Sequence, residues 1–257
     1  MLIDTHAHIY LPRFDEDRDE VLERALENGI NKIYLPNVDS TTIESMLALE
    51  ATYPERCFAM MGLHPCSVKE NVDEELSIVK EWLEKRTFCA VGEIGIDLYW
   101  DKTFFDSQKK AFNQQIDWAI DLDIPIVIHS RESTDIVINI LKERKHPKLR
   151  GIFHCFSGNA EQAEEITKLG FHLGIGGVLT YKKSTLPDAI RDIPLEWLVL
   201  ETDAPYLTPV PFRGKRNESA YIHQIATTLA SIKQLPFKRI AEQTTKNARQ
   251  IFVKQKK

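Results

Sequence analysis

Residues 124–130 read IPIVIHS and residues 151–156 read GIFHCF, two apolar runs that each meet a histidine. A strand covered by helices on both faces of a parallel sheet reads this way, as a short unbroken apolar stretch. The form recurs outward along the chain. MLIDTHAH (1–8) closes on His6 and His8, FCAVGEIG (88–95) carries Glu93, and WLVLETD (197–203) ends at Asp203. Six residues of metal-ligand type therefore sit at the ends of five runs. Imidazoles and carboxylates at the C-terminal ends of parallel strands converge on one face, which in a closed α/β barrel is the catalytic face.

The runs end near His8, Asn37, His64, Glu93, His129, His154, Gly176 and Asp203, eight in all, at intervals of 22 to 36 residues. Amphipathic segments of helical length lie between them, over 17–29, 41–51, 73–85, 105–123 and 160–170. Gly29 and Gly170 stop two of these, and Ser133 with Asp135 opens another helix. Eight strand–helix alternations in about 250 residues are the length and period of a (β/α)8 barrel. An open doubly wound sheet would use five or six strands, and no G-x-G-x-x-G follows the first run. The last 54 residues supply a loop (206–217) and two helices, expected over 217–232 and 236–253. No Gly/Ser linker or low-complexity tract interrupts residues 1–257, so one α/β barrel domain is expected.

Composition narrows the class. Of 257 residues, 43% are hydrophobic and 28% charged, enough to bury a large core. No run of 18 apolar residues exists, so no membrane span is expected. The N-terminus goes straight into a strand-like run without the basic and apolar regions of a signal peptide, and a cytoplasmic location is expected. Cys57, Cys66, Cys89 and Cys155 form no C-x-x-C pair and read as free thiols. Net charge is −5, which argues against bulk coating of nucleic acid while allowing a local basic patch.

His6 and His8, at i and i+2, place both rings on one strand face about 6–7 Å apart along the chain, where they can hold one ion. A lone His-x-His is weak evidence. Four more ligand types at equivalent strand ends make coincidence hard to sustain. Glu93 can bridge two ions through its two oxygens, which an imidazole cannot do. A single histidine after an apolar run is more often a hydrogen-bonded core residue, but His129 and His154 end adjacent runs beside Glu93 and can complete a second ion. Asp203 ends the eighth run, next to the first in a closed barrel, and is placed to touch the ion of His6 and His8. Two divalent ions less two carboxylates leave about +2, which lowers the pKa of bound water and attracts a phosphodiester. Four imidazoles favour zinc, manganese or another transition ion over magnesium. His64, in GLHP, reads as a group behind the ligands or a phosphate contact. His146, His172, which starts run seven at the opposite barrel end, and His223 carry no assigned chemistry. Cys155 follows His154 and is expected to point away from the site.

The strings DTHAH, GLHP, GEIGID, HSRES, HCFSG, ETDAPYL and RGKRNE, in that order and along nearly the whole chain, resemble the TatD-type metal-dependent deoxyribonucleases. The resemblance implies a (β/α)8 barrel of the amidohydrolase kind and hydrolysis of DNA phosphodiesters. It implies one metal with His6, His8 and Asp203, a second with His129 and His154, and Glu93 between them; it also allows magnesium. One position departs from the pattern. Ser219 stands where the family has proline, so the loop before the next helix is expected to be looser.

Arg131, two residues past His129, and Arg213, Lys215 and Arg216 in FRGKR (212–216) fall on loops above the site, where Arg131 and Arg213 are candidate phosphate contacts. Lys182 and Lys183 can extend this basic rim. Tyr99 and Trp100 can stack on an exposed base, although aromatic core filling is an equal use for them. The expected partner is DNA, and no obligate protein partner is evident. Two alternatives stand beside the nuclease reading. An amidohydrolase of a small amide or ester is disfavoured in its subgroup with a modified lysine on strand four, because that run has Glu93 and no lysine. A metal-binding protein without turnover is the other.

Overall fold

The computed structural model of the protein describes residues 1–252. Among them are eight strands: β1 (Leu2–Asp4), β2 (Ile30–Leu35), β3 (Cys57–Ala59), β4 (Val91–Asp97), β5 (Ile126–Arg131), β6 (Gly151–Phe153), β7 (Phe171–Ile175) and β8 (Leu198–Leu200). All pairings are parallel, β1 to β3 in one set and β4 to β8 in another, each in chain order. Single bridges join the two sets, Met61 to Val91 beyond β3 and Ala7 to Ala204 beyond β8 and β1. Across the second seam, Thr5 N–H donates to the Leu200 carbonyl at 3.1 Å and Asp203 N–H to that of His6 at 2.9 Å. The arrangement is the expected (β/α)8 barrel.

The intervening helices are α1 (Arg18–Glu27), α2 (Ile43–Thr52), α3 (Val72–Lys85), α4 (Phe105–Leu122), α5 (Thr134–Glu143), α6 (Ala160–Lys168) and the single short turn α7 (Leu186–Ile190). After β8 come α8 (Ile222–Lys233) and α9 (Phe237–Phe252). The 236–253 expectation thus holds through Phe252, and its last residue, Val253, lies outside the described residues. Ser133 does precede α5, but its hydroxyl does not cap the helix. It donates instead to the Ile96 carbonyl of β4 at 2.5 Å, tying the loop after β5 to its neighbour.

Two apolar clusters follow from strand parity. The larger one packs the helices onto the outer faces of the strands, with Phe112, Ile116, Val137, Ile166 and Leu229 buried against them. Burying each such side chain is worth about 1.5–3 kcal/mol. The smaller cluster joins Ile3, Tyr34, Met60, Val127, Ile152 and Val199 to Ala248 and Ile251 of α9. Phe252 stacks on Tyr34 with ring centroids 3.8 Å apart, so α9 packs on this second cluster. Val127 precedes His129 by two residues on β5, which puts both on one strand face; Ile152 and Val199 stand two residues before His154 and Glu201, which follow the ends of β6 and β8. An apolar layer therefore lies directly beneath the polar one.

His172, near the start of β7, is at the opposite end from the other strand-associated histidines, as expected. Burial beside Trp197 pushes its pKa down to about 4, against the partial support of backbone carbonyls. The unfolded chain therefore takes up this proton first as pH falls, and stability drops between about pH 6.5 and pH 4. The expected loss from pH 7 to 4.5 through this group is about 2–3 kcal/mol. Urea unfolding at the two pH values should show His172→Leu with a correspondingly smaller difference; an unchanged difference would remove His172 as the cause.

Candidate metal centre and active site

The six ligand-type side chains meet at the C-terminal ends of the strands, with Glu93 in the middle and buried. Pairing of β4 with β5 skips a residue between Gly92 and Ile94, a bulge centred on Glu93. Bulges re-aim a side chain, and here the re-aimed one is the central carboxylate. Asn37, itself buried, brackets it: its N–H donates to the Gly92 carbonyl and its carbonyl accepts from Glu93 N–H, both at 3.2 Å. Two residues on, Gly95 has φ +149°, and a Cβ there would come within 1.9 Å of the His129 carbonyl oxygen. Only glycine lets β4 run this close to β5.

Glu93 Oε2 lies 3.0 Å from His6 Nε2 and 3.6 Å from His8 Nε2. Its Oε1 lies 2.8 Å from His129 Nδ1, 3.3 Å from His64 Nε2 and 3.5 Å from His154 Nε2. Asp203 Oδ1 is 3.7, 3.6 and 3.9 Å from the Nε2 atoms of His6, His8 and His154. Among the described residues, four sets of ligand atoms each fall within 4.8 Å: His6–His8–Asp203, His6–Glu93–His154, His64–Glu93–His129 and His154–Cys155–Glu201. Neither Glu93 nor Asp203 pairs with a lysine or arginine among the described residues. Buried carboxylates that face imidazole nitrogens and have no side-chain cation fit divalent ions.

The outer ring nitrogens explain how the inner ones are aimed. His129 Nε2 meets Asp97 Oδ2 at 2.8 Å, and His154 Nδ1 lies 2.9 Å from Glu201 Oε1. His8 Nδ1 meets the Tyr10 hydroxyl at 2.9 Å, and that hydroxyl donates to the Pro36 carbonyl at 2.5 Å. With the Tyr10 proton so committed, its oxygen accepts from His8 Nδ1–H, and His8 Nε2 faces Glu93 and Asp203 bare. Such outer contacts fix tautomer and ring orientation. His64 is the reverse case. Its Nδ1 accepts from Cys66 N–H at 3.0 Å, so a neutral ring carries its proton on Nε2 and presents a donor to the cluster.

Burial alone would raise the Glu93 carboxyl, but the imidazoles of His64, His6 and His154 overcome it and hold the group well below the usual carboxylate range. Asp203 is likewise lowered, its burial outweighed by His8, His154 and His6. Burial works to lower His154, yet the carboxylates of Glu201, Glu93 and Asp203 carry it up to about 10. His6 is pushed down, by burial first and then by the stacked His154 ring, 3.5 Å away between centroids. The carboxylates are thus held ionised, ready for a cation.

Every residue expected at the site from the sequence lies at this end of the barrel, and the structure adds others. Asp97, Glu201 and Tyr10 were missed as ring-orienting groups and Asn37 as the bracket of Glu93. Asp97 and Glu201 carry a signal in the sequence, since each is a carboxylate in the same short run as a ligand, GEIGID with Glu93 and LETD with Asp203; Tyr10 likewise follows His8 by two. His64 lies against the cluster, its Nε2 3.3 Å from Glu93 Oε1. The expectation for Cys155 fails. β6 ends at Phe153, Cys155 has φ +47°, and its Sγ lies within 4.8 Å of ligand atoms of His154 and Glu201 instead of pointing away. Alternation cannot be carried past the end of a strand. Ser219 is fully buried, and just before it Asn217 Nδ2 donates to the Thr202 and Tyr206 carbonyls at 2.7 and 2.6 Å.

Around the mouth, arginines stack on aromatic rings. The Arg131 guanidinium carbon is 3.7 Å from the Tyr99 centroid, that of Arg213 is 3.9 Å from Tyr181, and that of Arg13 is 5.8 Å from Tyr206. The Tyr206 ring in turn lies 6.2 Å from that of His8. Arg216 is not part of this rim contact set, because it is ion-paired to Asp17 at 2.6 Å and lies over Phe14. Lys182 and Lys183 are exposed after β7.

Comparison with known proteins agrees with this geometry. The family described as "TatD related DNase" matches residues 3–253. YabD of Bacillus subtilis, named an uncharacterized metal-dependent hydrolase, is 40% identical over 253 residues, 98% of this chain and 99% of that protein. The crystal structure of YjjV, a TatD homologue from Escherichia coli K12, aligns with a TM-score of 0.92 at 34% identity, covering 98% of this chain and 97% of that one. A TatD family hydrolase from Entamoeba histolytica shares the fold at a TM-score of 0.82 and 23% identity, over 99% and 98% of the two chains. With its cluster of histidines and carboxylates at the barrel mouth, the chain belongs to the TatD-related DNase family of metal-dependent hydrolases.

Proposed function

We propose that the protein hydrolyses DNA phosphodiesters at this cluster, with one divalent ion held by His6, His8 and Asp203, a second by His129 and His154, and Glu93 shared between them. The observation that carries the reading is Glu93, whose two oxygens face different imidazoles, His6 and His8 on one side and His129, His64 and His154 on the other. Zinc, manganese and magnesium are the ions to test. When bound, such ions supply a nucleophilic water at neutral pH and polarise a phosphoryl oxygen.

The remaining work falls to the chain's own groups. Asp203, its side chain 13% exposed at the edge of the cluster, takes the proton of the attacking water on Oδ2, the oxygen not turned to the imidazoles. His64 presents Nε2–H toward the departing 3′-oxygen. Asp97 and Glu201 keep His129 and His154 from turning, and Tyr10 does the same for His8. Three buried carboxylates (Glu93, Asp97, Glu201) and Asp203 at the edge offset the charge of two divalent ions and leave little to attract a phosphodiester. Arg13, Arg131 and Arg213 at the rim draw it in. An open barrel mouth admits a flexible strand end more readily than a stiff duplex, so trimming of single-stranded or frayed ends is the expected form of the reaction.

The test is cleavage of a 5′-labelled single-stranded oligodeoxynucleotide by protein stripped with a chelator and then reloaded with each ion. Activity is expected to vanish on stripping and return with at least one ion. Cleavage that survives complete stripping would overturn the proposal. Arg213 supplies a second expected result. Arg213→Ala should weaken oligonucleotide binding alike across sequences and reduce the slope of log affinity against log salt by about one; a sequence-selective defect would contradict a phosphate contact.

A further inference from the structure

Trp100 is 69% exposed and Tyr99 49%, side by side on the loop after β4 at the mouth of the barrel. Their rings meet edge to face, centroids 4.8 Å apart at 87°. The Arg131 guanidinium lies 3.7 Å from the Tyr99 centroid and 5.4 Å from that of Trp100. We infer that Tyr99, Trp100 and Arg131 form a stacking site for one unpaired nucleobase beside the metal cluster, an inference that rests on the DNA reading above.

The backbone that carries the two rings is fixed to the cluster. Asp97 Oδ1 accepts from Tyr99 N–H at 2.9 Å and from Trp100 N–H at 3.2 Å, while its Oδ2 meets His129 Nε2 at 2.8 Å. One buried carboxylate therefore sets both an imidazole of the cluster and the aromatic pair. The cations nearby divide cleanly. Lys69 is paired with Asp101 at 3.1 Å and Lys102 lies 3.9 Å from Glu132, whereas Arg131 has no carboxylate partner among the described residues. An exposed indole next to a free guanidinium matches a nucleobase and its adjoining phosphate. In a duplex both faces of each internal base are already stacked on neighbours, so such a platform takes bases from single strands and frayed ends.

The experiment compares (dT)8 with an octamer of abasic sites carrying the same phosphates. Binding to metal-stripped protein is read by tryptophan fluorescence and anisotropy, and cleavage is read separately with metal-loaded protein. Wild type is expected to bind (dT)8 about tenfold more tightly than the abasic octamer, with quenching of Trp100. Trp100→Ala should bind the two alike, and Trp100→Phe should keep most of the preference. If wild type cleaves DNA but shows no preference, or Trp100→Ala keeps it, the stacking site is wrong and the nuclease reading stands. If the metal-loaded wild type cleaves no oligonucleotide, the nuclease reading falls and the stacking site falls with it.

Discussion

Glu93→Gln is expected to lower kcat/KM for oligodeoxynucleotide cleavage about 10³–10⁴-fold, at the upper end of what loss of a positioned catalytic group costs. The substitution keeps the shape of the side chain and removes its charge. His6, His64, His129 and His154 then lose the carboxylate that each faces within 3.5 Å. Bound metal, measured by elemental analysis after dialysis, should fall with activity, while circular dichroism stays that of the folded barrel. A Glu93→Gln protein that cleaves within tenfold of wild type, free of contaminating nuclease, would remove Glu93 from the centre of the account.

Asp203→Asn should act chiefly on turnover. Asp203 sits at φ +56°, a left-handed conformation that asparagine tolerates and most residues resist, so the variant leaves the backbone unstrained. His6, His8 and Glu93 remain to hold a cation. The expected result is a kcat about 10²–10³-fold lower with metal content largely kept, because the lost function is proton acceptance and not the whole ligand set. Equal loss of metal and activity would instead make Asp203 a ligand only.

Much of this is legible in the sequence. Helix-covered parallel strands must be apolar on both faces, which is why eight short runs gave the barrel and why ligands at their ends marked its active face. What stayed hidden lies where local rules stop. The bulge that aims Glu93 depends on how β4 registers against β5, a pairing that no single run encodes. Cys155 turns toward the cluster because the chain has left β6 and taken a positive φ, so strand parity no longer applied. Gly174 shows how such a constraint hides in an ordinary residue: a Cβ there would come within 2.3 Å of Glu201 Oε2, so the glycine leaves the space that Glu201 fills. Glu201 and Asp97 are within reach of the sequence, since each is a carboxylate in the same short run as a ligand. Arg216 looked equivalent to Arg213 in sequence and differs only because Asp17, nearly two hundred residues away, neutralises it.

The most direct measurement sets metal-reloaded wild type and Glu93→Gln against one panel: single-stranded DNA, duplex DNA, RNA, and small amide and ester substrates. The account predicts cleavage of single-stranded DNA by wild type, abolished in Glu93→Gln and on metal removal, with the amides and esters untouched. Metal-dependent hydrolysis of an amide or ester by wild type, with every DNA left intact, would contradict it.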